Sequence, residues 1–323
     1  MKNRLIALTL AIITLFCILS GCNNSEKSND DGNYKLKIGY LKGPTGMGMA
    51  KLLSDNKTSE KYEIDSIYTE PQAIMSSVIS GKIDIAAVPV NLAATIAKKT
   101  DGKYLIAAVN TLGVLYIVER GNTIYSVKDL GGKKIIANGQ ASTPEYVLNY
   151  LLDKNSVGNA EIEYFGDASA VTSQLISGKA NIAMLPEPAV TTVISKDSTL
   201  RVALDLSKEW KKVSDGELVQ GCIIVSKEIV NNHKSELDEF LSDYKKSTEY
   251  VNSDPASASQ IIADIGIIDN AVVAEKAIPK CNIVYIDGDE MISVLTDFYK
   301  VLFDASPASI GGKMPDESFY YKK

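Results

Sequence analysis

A phrase of fourteen residues occurs twice in this chain, with the two copies 97 residues apart. The first copy, SSVISGKIDIAAVP, spans Ser76–Pro89, and the second, SQLISGKANIAMLP, spans Ser173–Pro186. In each copy an amphipathic stretch ends at a glycine, Gly81 or Gly178, and a short apolar run follows that ends in proline. Glycine is the usual helix stop because it enters the left-handed region without strain, and proline cannot continue a central strand. Each copy therefore predicts a helix, a tight stop and a buried strand.

The same offset relates residues upstream of the phrase. Lys37 falls on Lys134, and Thr45 falls on Ser142. Each half of the duplicated region then reads strand, turn with hydroxyl residues, helix, strand, helix, strand and helix. This alternation predicts an α/β fold in which a mostly parallel sheet is covered on both faces.

The chain is long enough for two domains, and the residues after Gly221 are not a third copy of the repeat. The predicted lobes are residues 34–118 plus 224–323 for lobe one and residues 119–223 for lobe two. Two strands, near Leu115–Glu119 and Gly221–Ser226, are predicted to cross between the lobes and to form the hinge of a clamshell.

The first 22 residues have the layout of an export signal. Lys2 and Arg4 precede an apolar run, Leu5–Leu19, which is too short to span a bilayer comfortably. The Leu-Ser-Gly-Cys that follows resembles the bacterial lipobox, in which Cys22 is lipidated and anchors the mature protein to the outer face of the cell membrane. Residues 23–33 contain no apolar side chain and predict a flexible tether. An ordinary cleaved signal peptide and an uncleaved anchor are the alternatives.

The net charge excludes one large class of partners. It is −6 for the whole chain and −8 without the signal, because residues 1–22 carry two basic residues and no acid. A protein of this charge repels the phosphate backbone, so nucleic acid is not a predicted partner.

Two cysteines remain in the body of the chain once Cys17 and Cys22 are set aside. Cys222 and Cys281 are compatible with one disulfide in an exported protein and equally with two buried thiols.

Five segments together resemble one family. They read GPTGMGMAKLL (43–53), SGKIDIAAVPVNLA (80–93), DLGGKKIIANGQASTPEYVLNYLL (129–152), LPEPAVT (185–191) and IGGKMPDESFYY (310–321). Their order and spacing are similar to the alkanesulfonate/thiamine-precursor (SsuA/THI5-like) group of type II periplasmic solute-binding proteins. The resemblance implies a monomeric, two-lobed protein without cofactor that delivers a small molecule to an ABC permease and its ATPase. The last segment is expected to dock on lobe one.

Ligands of open α/β sheets bind where loops after the strands lead into helix N-termini, which have free N–H groups. The predicted ligand contacts in lobe one are Tyr40, Gly43, Pro44, Thr45, Gly46, Met47, Pro89, Val90 and Asn91. Those in lobe two are Asn138, Gly139, Ser142, Thr143, Tyr146, Pro186 and Glu187. Plain helix capping is the alternative for the hydroxyl residues of both loops.

Several of these side chains have open alternatives. Glu187, between two prolines, is interpreted as a ligand contact, a solvated loop acid or a hinge-side salt bridge. Four aromatic residues are candidates for stacking on a flat ligand, although packing is the commoner role of such residues: Tyr40, Tyr116, Tyr146 and Trp210. Met47 and Met49 can face either the ligand or the core.

The scarcity of arginine narrows the chemical class of ligand that the sequence predicts. Arginine occurs only at positions 4, 120 and 201, and neither Arg120 nor Arg201 lies in a predicted ligand loop, so the fork that binds carboxylates bidentately is missing there. The sequence favours a heterocycle such as a pyrimidine thiamine precursor, with a cationic group near Glu187. An alkanesulfonate or other small anion held by helix N-termini is the alternative, as is a role as ligand-sensing partner of a membrane receptor.

Catalysis has little support in the sequence. The single histidine, His233, lies in a polar helix start, so neither Ser-His or Cys-His chemistry nor a histidine metal cluster is predicted. GPTGMG does not have the spacing of a dinucleotide fingerprint, and no Walker-type loop is present. Enzymes of pyrimidine-precursor and menaquinone pathways share the fold but act in the cytoplasm, which the lipobox contradicts.

Overall fold

The structure is a computed structural model and describes residues 34–322. The predicted signal peptide, the lipidation at Cys22 and the tether of residues 23–33 lie outside the described residues.

The described residues contain eleven strands and thirteen α-helices. The strands are β1 (Lys37–Leu41), β2 (Glu63–Tyr68), β3 (Ile85–Pro89), β4 (Tyr104–Leu112), β5 (Leu115–Arg120), β6 (Lys134–Asn138), β7 (Glu161–Phe165), β8 (Ile182–Pro186), β9 (Leu200–Asp205), β10 (Val219–Ser226) and β11 (Ile283–Ile286). The helices are α1 (Pro44–Met47), α2 (Ala50–Ser59), α3 (Pro71–Ile79), α4 (Val90–Lys99), α5 (Thr143–Lys154), α6 (Ala168–Ile176), α7 (Ala189–Lys196), α8 (Leu206–Trp210), α9 (Lys227–Asn232), α10 (Lys234–Ser253), α11 (Pro255–Asp264), α12 (Ala271–Ala277) and α13 (Gly288–Ala305). Short 3₁₀ turns lie at Val127–Leu130, Ile278–Lys280, Pro307–Ile310 and Glu317–Phe319.

The two copies of the repeated phrase fold alike. Helices α3 and α6, and strands β3 and β8, begin and end at positions 97 residues apart. Gly81 and Gly178 follow the two helices with φ of 74° and 73°, in the left-handed region where glycine is favoured. The predicted helix, stop and strand are confirmed in both copies.

The strands form two sheets, both within one compact unit that begins at Lys35. The first sheet has the order β11-β4-β10-β3-β1-β2, and the second has the order β7-β6-β8-β5-β9. Within each repeat copy the strands are parallel, as β1 is to β2 and β3, and β6 is to β7 and β8. The other neighbours are antiparallel. The mixed α/β class and the two lobes are confirmed, but a mostly parallel sheet is not.

The chain passes between the sheets twice. The first crossing is Gly113-Val114, between β4 and β5, and the second crossing is residues 206–218, between β9 and β10. The sequence prediction put residues 115–118 in lobe one and 219–223 in lobe two, as parts of crossing strands. Strand pairing places each in the other sheet, because β5 pairs with β8 from Leu115 onward and β10 pairs with β4 from Val219 onward.

Helix α13 illustrates how the helices attach to the sheets. Its buried residues recur at helical spacing and form one apolar stripe: Met291, Leu295, Phe298, Tyr299 and Leu302. The stripe packs on β4 and β10 of the first sheet. None of the described helices combines the length and the apolar character that a bilayer-spanning helix needs.

The C-terminal tail docks on the first sheet, as expected. The amide of Tyr321 donates to the carbonyl of Ile106 in β4 at 2.8 Å, and Phe319 and Tyr320 are buried beside it.

Candidate functional site

The carboxyl ends of the parallel strands meet at the two crossings. Pro89, at the end of β3, pairs with Gly221, the third residue of the strand that follows the second crossing. Pro186, at the end of β8, pairs with Leu115, directly after the first crossing. The edges of the two sheets that carry the predicted ligand loops therefore lie on either side of the crossings, as a site between two lobes requires.

The loop after β1 leads directly into α1 of the first lobe. Gly43 has φ of 89°, and its carbonyl accepts from the amides of Gly46 and Met47 at 3.0 and 3.2 Å. A side chain at Gly46 would collide with the carbonyl of Leu41 and the ring of Tyr40. Tyr40 and Met47 are buried beneath this turn, whereas Gly43 and Pro44 are partly exposed. The partly exposed residues of the loop are thus Gly43 and Pro44.

Met49 follows the same turn, and its side chain is fully buried. In this arrangement of the lobes both methionines, Met47 and Met49, therefore belong to the core.

Helix α4 begins at the other predicted position of the first lobe. Pro89 precedes it, and no side chain caps its N-terminal amides. Val90 is buried, with its carbonyl accepting from the hydroxyl of Tyr299 at 2.7 Å, while Asn91 is partly exposed. An uncapped N-terminus at this edge offers N–H groups and the positive end of the helix dipole.

The second-lobe loop, Asn138–Thr143, leads into α5. Gly139 has φ of 85°, and its carbonyl accepts from the Ser142 hydroxyl at 2.6 Å, so Ser142 stabilises the loop and does not cap the helix. Thr143, the first helical residue, is only 2% exposed, and its Oγ1 has no hydrogen-bond partner among the described residues. Tyr146, one turn later, is partly buried against apolar side chains of the core. Thr143 is the residue of this loop that most needs an outside partner.

The Glu187 carboxylate is buried and already has hydrogen-bond and ion-pair partners within the protein. It is 1% exposed and accepts from the amide and the hydroxyl of Thr191 at 3.1 and 3.0 Å. The ammonium of Lys280, which precedes β11 of the first sheet, lies 3.8 Å away. Burial raises the pKa of Glu187, while Thr191 and Lys280 oppose that shift. This geometry favours the hinge-side salt bridge over a ligand contact by Glu187.

Replacing Glu187 with glutamine should change how stability depends on pH. A carboxyl whose pKa is raised by folding contributes stability that is present below its unfolded pKa and lost as pH rises through the folded pKa. The free energy of unfolding of the wild type, relative to Glu187→Gln, should therefore increase as pH falls from about 7.5 to about 4. Urea unfolding at both pH values measures the difference. A difference that is constant or reversed would contradict this assignment.

Two aromatic candidates are structural. The hydroxyl of Tyr116 donates to the carbonyl of Lys280 at 2.9 Å and so joins the two lobes. Trp210 is 1% exposed and packs between Tyr150 and Phe298, with ring centroids at 4.6 and 5.6 Å. Neither ring offers a free face to a ligand in this arrangement.

Sequence reasoning missed two polar residues at the second crossing. The Oε1 of Gln220 and the Oγ of Ser207 are buried without a hydrogen-bond partner among the described residues. Gln220 lies where the pairing of β10 with β4 shifts register, between Val219 and Gly221. Bulges of this kind re-aim side chains, and no sequence pattern marks this one.

The two remaining cysteines, Cys222 and Cys281, are free and buried, which resolves the open alternative in favour of thiols. Burial raises the pKa of both thiols, so neither is a reactive thiolate at neutral pH. Within residues 34–322 no group of three His, Cys, Asp or Glu side chains could hold a metal ion.

Solved structures share the architecture. An ABC transporter protein from Parabacteroides distasonis is 22% identical, with a TM-score of 0.77, over 90% of this chain and 99% of that chain. The aliphatic sulphonate binding protein SsuA from Escherichia coli is 15% identical, with a TM-score of 0.70, over 89% and 92% of the two chains. A ligand-binding component of an ABC-type import system from Staphylococcus aureus, with zinc bound, is 16% identical, with a TM-score of 0.67, over 89% and 96%. These similarities show the two-lobed fold of type II periplasmic binding proteins.

Two comparisons used the amino-acid sequence. The search of curated proteins found no match. The sequence model of the NMT1/THI5-like family matches residues 63–258, which include both copies of the repeat and both crossings. The chain belongs to the NMT1/THI5-like family.

Proposed function

We propose that this chain is the extracytoplasmic solute-binding component of an ABC importer. It binds a small molecule between the two sheets and delivers it to a permease, without catalysing a reaction. Family membership and the structural similarity to ABC import components support the role. The signal-like N-terminus and Cys22 support anchoring at the outer face of the cell membrane.

The observation that carries the proposal is a set of buried polar atoms that have no hydrogen-bond partner among the described residues and that belong to the start of α5, to the start of β10 and to the second crossing. Thr143 Oγ1 belongs to the second lobe, Gln220 Oε1 to the first sheet, and Ser207 Oγ to the second crossing. A buried polar atom without a partner destabilises a fold by about 1 to 3 kcal/mol, so such atoms are rare. A polar ligand that bridges the lobes would supply the missing partners and favour closure.

The same geometry narrows the ligand chemistry. Because Glu187 is occupied by Thr191 and Lys280, it supplies no free carboxylate for a cationic ligand group. The uncapped N-terminus of α4 and the start of α5 instead favour an anionic or electron-rich group. We therefore favour a small anion, such as an alkanesulfonate, over a heterocycle as the ligand. A pyrimidine ring nitrogen could accept hydrogen bonds from the same N–H groups. The partly exposed ring of Tyr146, as a candidate for stacking, supports this second ligand class.

Thermal denaturation of residues 23–323 with a panel of compounds tests the proposal. The panel contains alkanesulfonates, nitrate, pyrimidine thiamine precursors and amino acids. A ligand at about 100 times its dissociation constant adds roughly 2.7 kcal/mol, which raises the melting temperature by several degrees. A shift with sulfonates supports the anion, and a shift with pyrimidines alone supports the heterocycle. No shift with any compound would contradict the proposed ligand classes.

Replacing Thr143 with valine separates ligand binding from stability. Since Thr143 Oγ1 bonds to no described residue, we expect the variant to be as stable as the wild type. Affinity for the compound that shifts the wild type should fall about tenfold, which corresponds to one lost hydrogen bond. Thr100→Val is the matched control, because the Thr100 hydroxyl is also buried but bonds to Ile96 at the far end of α4. Equal affinities of wild type and Thr143→Val, measured by calorimetric titration, would remove Thr143 from the site.

A further inference from the structure

Asn110 is a fully buried polar residue in a strand that is apolar from Leu105 to Val109. It lies in β4, three residues before the first crossing, and is 0% exposed. Its Nδ2 donates to the carbonyl of Thr45 at 3.0 Å, and its Oδ1 accepts from the Thr111 hydroxyl at 3.0 Å. Thr45 belongs to α1, the turn that presents the Gly43-Pro44 backbone at the site. One side chain thus connects the first-lobe ligand turn to the strand that enters the hinge.

The strand geometry around Asn110 is irregular. Thr111 pairs with Gly221 and Val109 pairs with Cys222, so Asn110 is the extra residue of a bulge in β4. A bulge bends the strand and re-aims the side chain, here toward α1. Bulges are built features that often lie beside functional sites.

Strand β10, which follows the second crossing, approaches the same side chain at Gly221. A Cβ at position 221 would lie 2.5 Å from Asn110 Oδ1, 3.1 Å from Thr45 Cγ2 and 3.2 Å from Thr111 Oγ1. Only glycine lets β10 approach the amide this closely. Asn110 therefore links the 43–47 turn to β4, which leads into the first crossing, and to β10, which follows the second.

We propose that Asn110 is a positioning residue that holds the 43–47 turn in a fixed position relative to the two crossings. The assignment rests on the proposed function, since it concerns the ligand turn of that site. Asn110 does not touch the ligand. It fixes the carbonyl of Thr45, so that the partly exposed Gly43 and Pro44 are presented in one geometry and a movement of either crossing is transmitted to the turn.

The test compares Asn110→Leu with Asn56→Leu. Asn56 is a matched control in the same lobe, because it is also buried and its amide bonds to the backbone of Tyr62 at 2.9 and 2.8 Å, away from the site. In the protein without added compound, amide hydrogen exchange of residues 43–49 should be at least about tenfold faster in Asn110→Leu and unchanged in Asn56→Leu. Equal exchange of this segment in wild type and Asn110→Leu would overturn the proposal.

Binding of ethanesulfonate gives the second readout. Its affinity should fall about tenfold or more in Asn110→Leu and stay within about twofold in Asn56→Leu. If the wild type binds and Asn110→Leu binds equally well, Asn110 does not position the turn. If the wild type binds no panel compound, the proposed function fails, while the exchange of residues 43–49 still decides the role of Asn110.

Two smaller substitutions test the contact between Gly221 and Asn110 if Asn110→Leu does not fold. Gly221→Ala alone places a methyl group against Asn110 and should accelerate exchange in residues 43–49. In an Asn110→Ala background that methyl group has room, so the effect of Gly221→Ala should be at least about fivefold smaller. Equal effects in the two backgrounds would show that Gly221 and Asn110 are not coupled.

Discussion

Replacing Trp210 with alanine should lower the free energy of unfolding by about 3 to 5 kcal/mol, the largest single effect expected in this chain. Trp210 is fully buried in α8, on the second crossing, between Tyr150 of α5 and Phe298 of α13. Its Nε1 also donates to the carbonyl of Gly216 at 3.0 Å. Removing the ring empties a space between the two lobes and leaves that carbonyl without its donor. Urea unfolding followed by circular dichroism measures the loss.

Trp210→Phe is the control for this expectation. It keeps an aromatic ring between Tyr150 and Phe298 and loses the hydrogen bond to Gly216, so its effect should be clearly smaller. A loss below about 1 kcal/mol in Trp210→Ala would show that the ring is not packed as described.

Replacing Gly113 with valine should be the next most damaging change, at about 2 to 3 kcal/mol. Gly113 is the first crossing, and a Cβ there would collide with the Oγ of Ser207 and lie 2.9 Å from Leu218 Cδ2. Both neighbours belong to the second crossing, so any side chain at 113 pushes the two crossings apart. Chemical denaturation measures the destabilisation, and ligand affinity should fall with it because the lobes no longer close in the same geometry.

Two variants sharpen this expectation. Gly158→Val is a matched control, since a Cβ at the exposed Gly158 meets nothing within 4 Å and should change stability little. Ser207→Gly removes the atom nearest to position 113 and should recover part of the stability lost in Gly113→Val. If Gly113→Val and Gly158→Val were equally stable, the two crossings would not be in contact at this point.

The repeat could be read from sequence because its signals are local. Glycine after an amphipathic stretch and proline after an apolar run act within a few residues, and both copies fold as those signals predict. The positions of the crossings could not be read in this way. They depend on where β5 and β10 find partners in the sheets, and a run of apolar residues looks the same whether it crosses between sheets or lies within one.

The candidate site was partly predictable for a similar reason. Loops after parallel strands pointed to the edges that the structure places beside the two crossings, and Thr143 could be named from its hydroxyl at a helix start. The salt bridge was one of three interpretations of Glu187, and the sequence could not choose among them because burial against Lys280 joins residues 93 positions apart. Asn110 had a usable signal, a polar pair with Thr111 inside the apolar run YLIAAVNTL. Gln220 had none, since its placement follows from a shift in strand register.

We propose that one small molecule contacts both lobes at the sheet edges beside the two crossings. Amide hydrogen exchange, with and without the compound that gives the largest thermal shift, tests this placement. Binding between the lobes should slow exchange in residues 43–47 and 138–143 together, because both segments border the site. Slowing in only one of these segments, or in neither, would contradict binding between the two sheets.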